Sequence, residues 1–259
     1  MGLQGIVDEV VAGTTGVRWS IAVPGLAEHQ PGRKLRTASI GKLLLLVETA
    51  RRIEEGELDP GEVLSKDPGL AVADSGLWQH LAVDALPISD LALLIAAVSD
   101  NYATNVLLNR VGQASVAVLA AGLGLHDTAL HDRVRNRREP QDPPTLSTGN
   151  AGELAGLMAR IARRQLLSVA VSDRMDAWLA TSVDLSMVAS GFDEDPLAHP
   201  RSLRNKTGTD DGIRADVGYI GRQAYAVLAE FDPAEPDGTG RVMRGMRTIG
   251  VALAKHIAR

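Results

Sequence analysis

Residues 201–231 decide the fold: RSLRNKTGT (201–209), RADVGYIG (214–221) and QAYAVLAEF (223–231) follow one another across short turns containing Gly and Asp. β-Rich segments separated by such turns predict three consecutive antiparallel strands. Downstream, residues from about 240 to the end form an amphipathic closing helix. At the other end of the chain, Val17-Arg18-Trp19-Ser20-Ile21-Ala22-Val23 is apolar at every odd position and stops at Pro24-Gly25. Side chains alternate across a strand, so this period of two predicts a strand and a turn. Before it, residues 3–12 gather Leu3, Ile6, Val7, Val10 and Val11 on one helical face. Residues 34–38 predict a further strand, leading into a helix that starts near Ser39 and ends near Glu55.

The middle of the chain reads as helical. Ser89 can cap a helix through Val98, residues 103–110 continue in the same style, and 151–164 and 172–182 are further helices. Residues 131–150 form a long polar loop, and loops of that length inside a compact domain are usually functional or mobile. Strands at both ends and helices between them predict an α/β (α+β) architecture. In it an antiparallel five-stranded sheet is built from both chain ends, flanked by helices, and carries an all-helical insert. The expected boundaries are 1–38 with 200–259 for the sheet domain and 39–199 for the helical domain, with a cleft between the two.

Bulk properties narrow the function. The 259 residues are 45% apolar and 23% charged, as in a folded protein. A net charge of -5 argues against nucleic acid or an anionic membrane as partner. Cysteine is absent, which excludes disulfides, thiol nucleophiles and cysteine metal sites. The six histidines show no metal-binding spacing, and Gly122-Leu123-Gly124 lacks the third glycine of a dinucleotide fingerprint, so no metal and no cofactor are expected. The first residues lack a basic and apolar leader pattern, which leaves a cytoplasmic protein or an exported one whose leader has been removed. The apolar runs at 43–47 and 91–98 are too short to cross a bilayer. A soluble monomer acting on a small molecule is the expectation.

Three short motifs carry chemistry. Ser39-Ile40-Gly41-Lys42 spaces a hydroxyl and an amine so that one helical face holds both, near a helix start whose free N–H groups suit a developing oxyanion. Ser99-Asp100-Asn101 interrupts an otherwise apolar helical stretch, and such breaks of a local rule are where function is expected. Lys206-Thr207-Gly208, followed by Thr209, lies at the end of a strand, where a Gly lets another group approach closely. The chain has only five lysines (Lys34, Lys42, Lys66, Lys206 and Lys255), and two of them fall in these motifs.

In this order the three motifs resemble those of the class A β-lactamase and penicillin-binding-protein family of serine hydrolases. Asp74-Ser75-Gly76-Leu77 and VSDNYATNVLL (98–108) are similar to that family's corresponding segments, and the resemblance covers nearly the whole chain. It implies a sheet of both termini beside a helical domain, and it assigns roles. Ser39 would attack the carbonyl of a β-lactam or acyl peptide, with Lys42 as base and Ser99 relaying a proton to the leaving nitrogen. Asn101 would hold the substrate amide. Lys206, Thr207 and Arg214 would bind the substrate carboxylate, with Gly208 packed close and the N–H groups of Ser39 and Thr209 forming the oxyanion hole. Deacylation in class A enzymes uses a loop glutamate with an asparagine four residues later. Here Glu139 in Arg138-Glu139-Pro140 is the candidate, but Pro143 stands where the asparagine belongs. If Leu130-His131-Asp132-Arg133 starts the loop instead, Arg135 takes the glutamate's place. The implied activity is β-lactam hydrolysis. The alternatives are a D-alanyl peptidase or esterase, and a non-catalytic acylation sensor. Trp78 is a candidate wall at the cleft mouth, and the cluster Arg133, Arg135, Arg137 and Arg138 reads as a solvated loop.

Overall fold

The computed structural model describes residues 2–198 and 202–258. Strands β1 (Arg18–Val23), β2 (Ala27–His29), β8 (Leu203–Asp210), β9 (Ile213–Ile220) and β10 (Gln223–Glu230) form a five-stranded antiparallel sheet in the order β2-β1-β10-β9-β8. The two chain ends meet in the middle of the sheet, where Trp19 pairs with Ala229 and Ile21 with Val227. The strand expected from 201 begins at Leu203 among the described residues, and the positions 199–201 around the expected domain boundary lie outside them.

One face of the sheet is covered by α1 (Leu3–Ala12) and α8 (Gly238–Ile257). Val7, Val10, Trp19, Tyr225, Val242, Met246 and Ile249 interlock there as one apolar cluster. Burying each such side chain contributes about 1.5–3 kcal/mol. The other face and the helical body share a second cluster. It includes α2 (Lys42–Glu54), α3 (Ile88–Val98), α4 (Asn101–Val111), α5 (Gln113–Gly122), α6 (Ala151–Ala162) and α7 (Val169–Leu179). Residues 43–47 are all buried, which explains why α2 runs through the centre of this body. Asn150 and Ser168 cap α6 and α7, accepting from Glu153 N and Val171 N. Minor pairings complete the fold: β3 (Leu35–Arg36) with β7 (Ser147–Gly149), β7 with β6 (Ala129–Leu130), and β4 (Val63–Ser65) with β5 (Ala85–Pro87). No described helix is long and apolar enough to cross a membrane.

Several local expectations are corrected. Residues 34–38 give only the two-residue β3, which pairs with β7 rather than joining the main sheet; the fifth strand is β2. Ser39 does not open an α-helix. It sits in a 3₁₀ turn, Ala38–Gly41, and α2 begins at Lys42. Ser89 lies inside α3, which Pro87 precedes as N-cap. The last helix before the sheet spans Val169–Leu179, three residues earlier than its periodicity suggested. Trp78 is fully buried, stacked at 5.2 Å from Tyr102, and so is core rather than a cleft wall.

Candidate active site

The 3₁₀ turn bearing Ser39 is shaped by its neighbours. Ala38 is held at φ +48°, a left-handed conformation that is costly for a residue with a Cβ. Ser147 Oγ donates to Ala38 O at 2.5 Å, Ser147 Oγ and Thr37 Oγ1 share a hydrogen bond, and Thr37 N donates to Ser147 O. Gly41 leaves no room for a side chain, because a Cβ there would lie 2.4 Å from Ser147 Cβ. On the opposite side β8, an edge strand, presses against the turn, and a Cβ on Gly208 would come within 2.2 Å of Thr37 O. The glycine of the third motif is therefore required by contact with the segment that carries Ser39.

Ser99, between α3 and α4, also has a left-handed backbone, at φ 56°. Its next neighbour fixes the turn: Asp100 Oδ1 accepts from Ala103 N and Oδ2 from Leu77 N and Trp78 N. Gly76 is packed so closely that a Cβ there would meet Asp100. This turn brings two lysines together. Lys42 Nζ donates to Ser99 O at 2.6 Å and to Asn101 Oδ1 at 2.7 Å, and lies 3.2 Å from Ser99 Oγ. Lys206 Nζ donates to Ser99 Oγ at 3.0 Å and to Thr207 O at 2.9 Å. Ser39, Ser99, Lys206, Thr207 and Thr209 line one cleft of about 200 Å³, with Ser75, Ser182 and Asp184.

Both amines are wholly buried, and burial disfavours their charged forms. Desolvation, reinforced by the charge of Lys206, holds Lys42 well below the usual lysine range, against an opposing pull from Asp100. Desolvation also pushes Lys206 down to about 8, while Asp184 and Asp216 pull it back up. Both shifts favour the neutral amine, and for Lys42 the neighbouring charge of Lys206 adds to the effect of burial.

Across the whole chain, residues 6–257 match the beta-lactamase enzyme family. The chain belongs to that family, and with it to the hydrolases of the serine β-lactamase type. No curated protein sequence matches it. Among solved structures, a β-lactamase from Sphaerobacter thermophilus DSM 20745 is similar, with 24% identity and a TM-score of 0.83 over 98% of this chain and 96% of that one. An ancestral class A β-lactamase is 20% identical with a TM-score of 0.81, covering 98% of this chain and 99% of the other. A point mutant of PBP-A, described as an acyl-enzyme complex with penicillin G, is 20% identical with a TM-score of 0.79, covering 99% of this chain and 96% of that one.

The expected site residues Glu139, Arg214 and Asn101 are not among those lining this cleft. Glu139 is not among the residues lining the Ser39 cleft; its side chain is 52% exposed and faces Arg137 at 3.7 Å. The loop turns back at that point, with Asp142 N donating to Glu139 O and Glu139 N to Asp142 Oδ2, so the carboxylate points outward. Arg135 binds Asp132 and Asp142, and Arg138 binds Asp132. Arg214 lies opposite Thr209 on β9, yet its Nη1 donates to the carbonyls of Asp210 and Ile213, away from the cleft lining. Asn101 is buried, with Nδ2 donating to Ala73 O, so both ends of its amide have protein partners.

Other residues of the site were not legible in the sequence. Asp184 comes from the irregular segment between α7 and the 3₁₀ helix Val188–Phe192, where no periodicity marks it. Asn105, which does not line the cleft, acts on its surroundings. It donates to Leu70 O and Val134 O and accepts from Val134 N, fastening the 131–146 loop to α4. An Asn one helical turn beyond the Ser-Asp-Asn motif was the available signal.

Proposed function

We propose that this protein is a serine hydrolase that takes its substrate's acyl group onto Ser39, with opening of a β-lactam ring as its leading reaction. The observation that carries this reading is the Ser99 hydroxyl, held between the amines of Lys42 and Lys206 in the cleft that Ser39 lines. A neutral amine has two N–H groups and one lone pair. Ser99 O and Asn101 Oδ1, at 2.6 and 2.7 Å, take two N–H groups of Lys42, and its third position faces Ser99 Oγ at 3.2 Å, where a neutral amine's lone pair can receive a proton.

The step is then balanced. Ser39 Oγ bonds to the carbonyl carbon, the carbon–nitrogen bond breaks, and the Ser39 proton passes through Lys42 and Ser99 to the departing nitrogen. The N–H groups of Ser39 and Thr209 stabilise the oxyanion, a contribution of about 3–4 kcal/mol per donor in comparable sites. A protein of the same fold, the PBP-A mutant, is described as an acyl-enzyme with penicillin G. A second reading, stable acylation with slow release, is favoured by the outward carboxylate of Glu139 and by Arg135 in ion pairs.

A chromogenic cephalosporin, followed by colour and by intact mass together, tests both. Sustained colour release supports hydrolysis, and a persistent adduct on Ser39 supports slow release. Identical behaviour of wild type and Ser39→Ala overturns the assignment of the nucleophile.

A further inference from the structure

The corner of the cleft expected to receive a substrate carboxylate already contains one. Asp184 lines the cleft with Ser39, Lys206 and Thr209, and its Oδ2 accepts the hydroxyl of Thr207 at 2.7 Å. The position is enforced by backbone ties on both sides of the cleft: Asn205 Nδ2 donates to Asp184 O at 3.0 Å, and Val183 N donates to Ala97 O at 3.0 Å. A threonine hydroxyl has a single proton. Here it goes to Asp184 and is not on offer to a ligand.

The cations that could compensate are few. Among the described residues Lys206 is the one cleft-lining amine, and it already donates to Ser99 Oγ and Thr207 O. Arg214 spends Nη1 on the carbonyls of its own hairpin. A second carboxyl group stands behind the corner. Asp216, paired across the ladder with Thr207, is fully buried and accepts from Ala189 N, Asn205 Nδ2 and Tyr225 OH. Burial pushes Asp216 up to about 7, and the nearby charge of Asp184 adds to that rise against three hydrogen bonds that lower it. Lys206 and, at longer range, Arg214 are the cations set against Asp184, and Asp216 adds a second carboxyl group behind it. A substrate carboxylate entering this corner would meet a like charge at close range, the arrangement by which binding sites reject a partner.

We propose that Asp184 makes the cleft discriminate against a carboxylate beside the bond that breaks, so that among β-lactams and other acyl substrates the neutral or cationic ones react faster. This rests on the reading of Ser39 as nucleophile. The chemistry is unchanged: Ser39 Oγ gains the acyl group, and the alcohol or amine leaves with the serine's proton. Asp184 acts on which leaving group fits, through charge, while Lys42 and Ser99 move the proton.

Benzylpenicillin and its methyl ester give a matched pair, since the ring that opens is the same and only the charge differs. Acylation rate constants for both are read by intact mass on the full chain and divided by each compound's rate of opening in buffer. Wild type should favour the ester by about tenfold or more, as expected when like charges meet in a partly desolvated site. Asp184→Asn, which keeps an acceptor for Thr207, should speed acylation by the acid about tenfold relative to the ester. Asp184→Ala should collapse the ratio in the same way, and circular dichroism with thermal denaturation shows that each variant is folded. A wild-type preference for the acid, or a ratio that neither variant changes, overturns the proposal. Loss of reaction with the ester in both variants also overturns it, because Asp184 would then be needed for reaction with any substrate. No adduct from either compound on wild type removes the Ser39 reading itself, and this proposal with it.

Discussion

The corner formed by Lys42, Ser99 and Lys206 and the loop at 131–146 are made from the same materials, basic side chains among oxygen acceptors, yet they do opposite things. In the corner both cations are buried and share hydroxyl and carbonyl acceptors, so desolvation dominates and both amines are driven toward neutrality. In the loop Arg135 and Arg138 each meet a carboxylate and keep contact with water. Burial there would raise Asp132, but hydrogen bonds from Arg135 and Arg138 outweigh it and hold the carboxyl below its usual range. The first arrangement favours neutral amines; the second fixes a shape. What separates them is the partner offered to the cation, a neutral oxygen in one case and a charged one in the other.

Breaking the corner should have the largest effect. Ser39→Ala should lower acylation by about a thousandfold or more and abolish the adduct in intact-mass measurements, as for nucleophile deletions generally. Next comes its pH dependence. Acylation by a neutral substrate should fall on the acid side as Lys42 takes up a proton, and on the alkaline side near pH 8 as Lys206 loses one. Lys206→Met should remove the alkaline limb. It should also move the acid limb to higher pH, because Lys206 no longer depresses Lys42; an acid limb that stays in place would uncouple the two amines.

Breaking the loop should cost stability instead. Asp132→Asn should lower unfolding free energy by about 1–2 kcal/mol at pH 7, read by denaturant titration, because two arginines lose a partly buried partner. The sign with pH follows from the depressed carboxyl. Its contribution is complete above the unfolded aspartate range and is lost as pH falls through the folded value, so wild type should lose more stability than the variant on acidification below about pH 4. The smallest effect belongs to Glu139. Glu139→Gln should change deacylation by less than about twofold, as for a surface ion pair. A larger loss would return this carboxylate to the chemistry and bring the two regions into one machine.

The same contrast explains what could be read from the chain alone. The sheet strands were legible because alternate burial leaves a period of two in 17–23, and because short Gly- and Asp-containing turns punctuate 201–231. The three motifs were legible because hydroxyl, amine and glycine stand at fixed spacings that a single contact set demands. Ser39's turn was not: the apolar run at 43–47 extends a helical pattern backward over it, and the 3₁₀ geometry comes from Ser147 and Gly208, which are distant in sequence. Glu139 was chosen for its residue type, whereas its direction is set by a local turn with Asp142 that carries no comparable pattern. Asp184 escaped for a related reason, since its place depends on tertiary ties from Asn205 and Ala97.

The contact of Gly208 with Thr37 has a consequence for how the protein matures. The two residues come from opposite ends of the chain, so this contact is of high sequence separation and carries a large loop-closure cost. Lys206 and Thr209, on the same strand β8, line the Ser39 cleft beside this contact. During synthesis the segment with Ser39 emerges long before β8, so the cleft that Lys206 helps to line exists only once the C-terminal strands have docked. On the proposed function, a chain truncated before β8 should therefore form no adduct at Ser39.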